Sequence, residues 1–66
     1  MSGEIAAGRA LRQLLGPGDR VQLGTLSGLL VKVHAVATEV LGPDGQVHLV
    51  PNSHFLEQTL RLVRGE

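Results

Sequence analysis

The side chains with obvious chemical potential in this 66-residue chain are its three histidines, His34, His48 and His54. A nitrogen and oxygen metal centre needs three or four such groups converging at ligand spacing. No carboxylate stands at a recognisable ligand spacing from any of the three, so the sequence predicts surface or half-buried histidines and no metal site. Cysteine is absent, which removes thiolate zinc centres and disulfides together. Ser53 and His54 are a nucleophile and a base in adjacent positions. They would work as a pair only if a carboxylate and an oxyanion hole converged on them, and sequence neighbours seldom have that geometry. The glycines at 16, 18, 24 and 28 follow neither phosphate-loop spacing, and turns and bends account for them. The sequence therefore predicts no catalytic residue, no cofactor and no small-molecule substrate.

Charge and composition narrow the alternatives. Six Lys and Arg balance six Asp and Glu, and there is one Phe with no Trp or Tyr. A nucleic-acid surface normally needs a basic stripe and exposed rings for stacking, so the composition speaks against one. At 42% hydrophobic residues the chain should fold, around a core of Leu and Val. A domain this small buries only about 60% of its unfolded surface and is marginal without a supplement. With disulfides excluded, self-association is the simplest one. No run approaches the roughly 20 apolar residues of a membrane-spanning helix, and Met1-Ser2-Gly3-Glu4 does not open a secretory signal. A cytoplasmic location is the expectation.

The elements that must position these residues follow from periodicity. Ser2 to Leu15 has the only helical pattern, with Ser2 as N-cap, Glu4 in the first turn, and Ala7, Leu11 and Leu14 on one face beside Ala10 and Leu15. Arg9, Arg12 and Gln13 take the other side, and Gly16-Pro17-Gly18 stops the helix, with Gly16 as its C-terminal residue of left-handed type. Gly8 costs about 1 kcal/mol relative to Ala, so this helix should depend on docking.

From Asp19 the period becomes two, and five strands are predicted. Asp19 to Leu23 points Val21 and Leu23 inward. Leu26 to His34 places Leu29, Val31 and Val33 on one face, with Gly28 at a bend or bulge. Val36, Thr38 and Val40 share the next face, up to the turn Gly42-Pro43-Asp44-Gly45. Gln46 to Val50 returns, Pro51-Asn52-Ser53 breaks the strand, His54 to Glu57 forms one turn capped by Asn52 or Ser53, and Thr59 to Arg64 is the last strand. The fold class expected is mainly β, a single domain over 1–66 with a helix over 2–15 and a small, strongly bent Sm-like or SH3-like barrel over 18–64. Its two edge strands would be satisfied by pairing with neighbouring subunits.

Read in order, Gly18-Asp19-Arg20-Val21-Gln22-Leu23, Leu26-Ser27-Gly28-Leu29-Leu30-Val31 and Asp44-Gly45-Gln46-Val47-His48-Leu49-Val50-Pro51-Asn52-Ser53 resemble the β domain of the MscS-type small-conductance mechanosensitive channels. Gly18, Asp19, Gly28, Thr38, Asp44, Gly45, Pro51, Asn52 and Ser53 carry the resemblance, and a weaker continuation runs to Arg64. Two departures stand out. Leu41-Gly42 replaces the family's Arg-Thr before the hairpin, and Leu62-Val63-Arg64 replaces an Asn-x-Ser-like ending.

The resemblance implies a non-enzymatic, ring-forming structural collar below a pore, with the final strand adding to a neighbour's sheet. Pro51, Asn52, Ser53, Leu60, Leu62 and Val63 become the expected subunit interface. The partner implied is the chain itself in a homo-oligomeric ring, seven-fold as in the well-known family channels, or the subunits of a membrane channel at the cytoplasmic face of the inner membrane. The transmembrane helices of such a channel are absent from this sequence. Gly3 to Leu15 is similar to the cytoplasmic end of the pore-lining helix, with small residues at Gly3, Ala6, Ala7, Gly8 and Ala10 that allow close approach. The alternative from another class is an Sm-like RNA-binding ring, which charge and the shortage of rings disfavour.

Overall fold

The computed structural model describes residues 2–64, and side chains over 3–58. Helix α1 spans Ser2–Leu14. Strands β1 (Arg20–Leu23), β2 (Leu26–Val33), β3 (Ala37–Leu41) and β4 (Val47–Pro51) follow, and helix α2 closes the chain at Asn52–Arg64. The strands form one antiparallel meander in the order β1-β2-β3-β4. Five strands and a closed barrel are therefore corrected to four strands in an open sheet, with β1 and β4 at its edges.

The C-terminal change has a local cause. Thr59 to Arg64 alternates weakly enough to pass for a strand, yet Phe55, Leu56, Leu60 and Val63 also follow a helical period. Once Pro51 has ended β4 and a carboxylate from elsewhere has capped the next amides, helix propagation needs only one further bond per residue. The single predicted turn at His54 to Glu57 accordingly extends to Arg64.

One face of the sheet holds the core. Leu11 of α1, Val21 and Leu23 of β1, Leu30 and Val33 of β2, Val40 of β3, Val50 of β4 and Phe55 of α2 form a single buried cluster, with Leu15, Leu26 and Leu56 packed against it. The two helices pack on one another, and α2 lies against β1. Full burial of a Leu or Phe side chain contributes about 1.5–3 kcal/mol, so Leu11, Leu30 and Phe55 anchor helix to sheet. In α1 the buried face is Ala7 and Leu11, while Leu14 is exposed and Leu15 half-buried. The face thus runs 7, 11, 15, because the chain adds one more helical bond, from the Leu15 N–H to the Leu11 carbonyl, before it turns.

The register explains a second correction. In β2 the partners of Leu29 and Leu30 are Leu41 and Val40, but those of Lys32 and Val33 are Glu39 and Thr38, so Val31 is an extra residue in a bulge. The bulge resets the alternation. Leu30 and Val33 face the core, whereas Leu29 and Val31 are exposed. Val36 precedes β3 and is exposed too, leaving Thr38 and Val40 as the buried pair of that strand.

Turn chemistry behaves as glycine and proline dictate. Gly45 has φ +81° in the β3–β4 turn, where its N–H reaches the Gly42 carbonyl at 3.0 Å and the Gly42 N–H reaches the Gln46 carbonyl at 2.8 Å. The left-handed glycine after α1 is Gly18, at φ +93°, and Gly16 is not in that region. Gly16 instead donates its N–H to the Asp19 carboxylate at 2.7 Å. Gly28 is a close-approach position, since a Cβ there would overlap the Leu41 carbonyl oxygen across the ladder.

Candidate functional site

Asn52, the first residue of α2, is fully buried, and its amide ties three elements together. Its Oδ1 accepts the Thr38 hydroxyl at 2.7 Å. Its Nδ2 donates to the His34 carbonyl at 2.9 Å, the Ala35 carbonyl at 3.2 Å and the Glu4 carbonyl of α1 at 3.2 Å. A buried amide is stable only when its donors and acceptor are all engaged. The arrangement also explains Gly8, because a Cβ there would come within 2.7 Å of Asn52 Nδ2 and 3.2 Å of the His34 carbonyl. The glycine that lowers helix propensity is what lets α1 settle onto this junction.

Beside it, Glu4 caps α2 from the other helix. Its Oε1 accepts the Ser53 N–H at 2.8 Å and its Oε2 the Ser53 hydroxyl at 2.7 Å. Those bonds, the backbone one first, hold the Glu4 carboxyl below its ordinary range against a smaller desolvation effect. The expected caps of this turn were Asn52 and Ser53. Asn52 spends its oxygen on Thr38, and the oxygens that meet the free amide come from a residue 49 positions away. No short-range pattern could have revealed this.

The histidines separate. His34 Nε2 lies 2.9 Å from Glu39 Oε2 at the β2–β3 connection, and His48 Nε2 lies 3.4 Å from Asp44 at the β3–β4 turn. His54 is exposed. Hairpin pairing, not ligand spacing, brings each carboxylate to its histidine, so the spacing in the sequence does not signal either contact. Asp44 is held below its usual value, chiefly by the Gln46 N–H and also by His48. Among the described residues no group of three or more His, Asp and Glu side chains is placed to hold a metal.

The opposite face of the sheet carries several apolar side chains that no described residue covers. Leu29, Val31, Leu41, Val47 and Leu49 are exposed there, Leu49 by 67%. Arg20, Gln22, Leu29 and Leu41 line a groove of about 600 Å³ at its β1 end. Of the residues expected at a subunit interface, Pro51 and Ser53 are exposed at the end of β4 and the start of α2, and Asn52 is enclosed by its own chain. Leu60, Leu62 and Val63 lie in the helical end of α2, and their side chains fall outside the described residues. The final strand expected to join a neighbour's sheet is therefore helix.

An open β meander clasped by two helices through a buried amide defines a small mainly β domain. The chain belongs to the family described as "Mechanosensitive ion channel, beta-domain", which matches residues 11–61. Among solved structures it is similar to Arabidopsis thaliana MSL1, at 26% identity and a TM-score of 0.72 over 85% of this chain and 21% of that one. A variant of MSL1 gives 25% identity and 0.75 over 88% and 23%. A further wild-type MSL1 structure gives 26% and 0.75 over 85% and 20%. The chain thus spans about a fifth of the length of these proteins. A comparison with curated proteins gives no match.

Proposed function

We propose that this chain is a non-enzymatic assembly module, the ring-forming collar on the cytoplasmic side of a mechanosensitive channel pore. The family match over residues 11–61 carries the reading. The geometry supports it in two ways. The domain is small, unstapled and leaves two strand edges and several apolar side chains of one sheet face uncovered among the described residues, which is the condition that self-association relieves. Its helix α1, in the position that resembles the end of the pore-lining helix, is fastened to the sheet and α2 by Asn52 and Glu4 rather than by apolar contact alone. A rigid joint there suits a collar that must follow the pore. The exposed residues Pro51 and Ser53, with Leu60, Leu62 and Val63 beyond them, are proposed to face neighbouring subunits. No helix among the described residues is long and apolar enough to cross a membrane, so any pore would be formed by other segments or subunits. The RNA-ring alternative is weakened, because Phe55, the one Phe, Tyr or Trp side chain, is fully buried and the chain carries no net positive charge.

Sedimentation velocity over a concentration series tests the reading. A discrete oligomer, seven-fold if the family number holds, is the expected result. A folded monomer of 7.0 kDa at every concentration would overturn it.

A further inference from the structure

The two histidine–carboxylate pairs differ in geometry. His34 Nε2 approaches Glu39 Oε2 to 2.9 Å, an ordinary hydrogen-bond distance. His48 Nε2 stands 3.4 Å from Asp44 Oδ1 and 3.4 Å from Oδ2, beyond the usual N–H···O range and favouring neither oxygen. Zinc bonds imidazole nitrogen at about 2.0–2.1 Å and carboxylate oxygen at about 2.0–2.2 Å, so two ligands at the tetrahedral angle stand about 3.3–3.5 Å apart. The second pair is too wide for a good hydrogen bond and has the span of two ligands on one ion.

The hairpin holds both ligands and leaves the space between them open. Two backbone bonds close the turn, from the Gly42 N–H to the Gln46 carbonyl and from the Gly45 N–H to the Gly42 carbonyl, and His48 is fixed on β4 opposite Val40. The Gln46 N–H donates to Asp44 Oδ1 at 3.0 Å, orienting the carboxylate as outer hydrogen bonds orient metal ligands. A Cβ on residue 42 would lie 2.8 Å from Asp44 Oδ1 and 3.0 Å from His48 Nε2, so a glycine there clears the volume that both ligand atoms border. Gly42 belongs to one of the chain's departures from the family pattern, which carries Thr at this position, so the cleared volume is a feature of this chain. Among the described residues no Lys or Arg is ion-paired with Asp44. The His48 and Asp44 side chains are 37% and 50% exposed, which gives an ion an entry path and room for water at its remaining positions.

We propose that Asp44 and His48 form a two-ligand site for a divalent transition-metal ion of the zinc class, with water completing the shell. Imidazole with carboxylate suits zinc and its late first-row neighbours, whereas calcium and magnesium take oxygen ligands. Two protein ligands make this a site of modest affinity beside the three- and four-ligand centres. Its place in the fold gives it an effect, because an ion held there fastens the first half of β4 to the turn and stabilises the hairpin that carries it. The site goes beyond the assembly reading and does not depend on it.

Zinc chloride titrated into the whole chain, followed by imidazole and backbone amide resonances, tests it. The expected result is a saturable shift centred on His48 and the amides from Gly42 to Val47, complete below millimolar zinc, with a melting temperature that rises over the same range. Magnesium chloride should produce neither effect. His48→Gln should abolish the response, and Asp44→Asn and Gly42→Ala should each raise half-saturation by about tenfold or more. His34→Gln and His54→Gln should leave it unchanged. Gly42 lies outside the left-handed region, and the nearest atoms to an added methyl are side-chain ends, so Gly42→Ala decides should Asp44→Asn fail to fold. Shifts centred on His34 or His54, an unchanged half-saturation in Gly42→Ala, or no saturation below millimolar zinc overturns the site. Each of those outcomes leaves the collar reading standing.

Discussion

Asn52→Ala removes the amide that joins α1, the β2–β3 connection and β3. Thr38 is fully buried, so its hydroxyl would lose its acceptor, and the His34 and Ala35 carbonyls would lose their donor. The Glu4 carbonyl is the least affected, being part of the helix ladder. Two to three groups losing a partner at about 1 kcal/mol or somewhat more each give a cost of about 2–4 kcal/mol. A chain of 66 residues has about 3–10 kcal/mol in total at about 0.05–0.15 kcal/mol per residue. At about 4–8 °C per kcal/mol for a domain of this size, the melting temperature should fall by about 8–32 °C. Thermal melts by circular dichroism at one fixed protein concentration measure this, the concentration being held because assembly contributes to stability. Thr38→Val should cost less, since one acceptor alone is orphaned, and the double variant should cost less than the sum, the two sharing one bond. An Asn52→Ala melt within about 2 °C of wild type would refute the reasoning and mean that the junction does not hold the elements together.

Gly28→Ala forces a Cβ into the Leu41 carbonyl oxygen, a backbone atom that can move only with β3, and should destabilise by about 2 kcal/mol or more, whereas Gly16→Ala, with open space around it, should leave a urea midpoint nearly unchanged. Gly45→Val places a β-branched residue at φ +81° in open space, so its cost of about 1–3 kcal/mol is purely conformational, and Gly45→Asn should recover most of it in the same melts. For acid stability, the Glu4 carboxyl is lowered in the folded chain from an ordinary value of 4.5, so its contribution is present above that value and is lost as pH falls through the lower folded one. Glu4→Gln should therefore flatten the acid limb of a stability-against-pH curve below about pH 4.5. An unchanged limb would assign the acid sensitivity elsewhere, Asp44 being the other carboxyl with a lowered value among the described residues.

Sequence by itself determined the parts that depend on near neighbours. The helix over the first residues, the hairpin at Gly42 to Gly45 and the strand-breaking Pro51 all follow from local rules about φ, missing N–H groups and side-chain period, and the ordered motif pointed to the family that residues 11–61 match, whereas the bulge expected at Gly28 falls at Val31 and Gly28 instead serves a close approach across the ladder. Tertiary structure decided the rest. The extra residue at Val31 is invisible in sequence because period-two patterns on either side of a bulge look continuous until their partners on β3 are known. Glu4 meets Ser53 across 49 positions, a contact that no spacing rule encodes. The segment after Pro51 fits two periodicities, and whether it continues a sheet or a helix depends on a cap delivered by α1 once the core has formed. Strand number, and with it the pair of free edges of opposite direction, was a property of that folded context, because a short apolar segment takes the state that its neighbours in space, not in sequence, hydrogen-bond and cover.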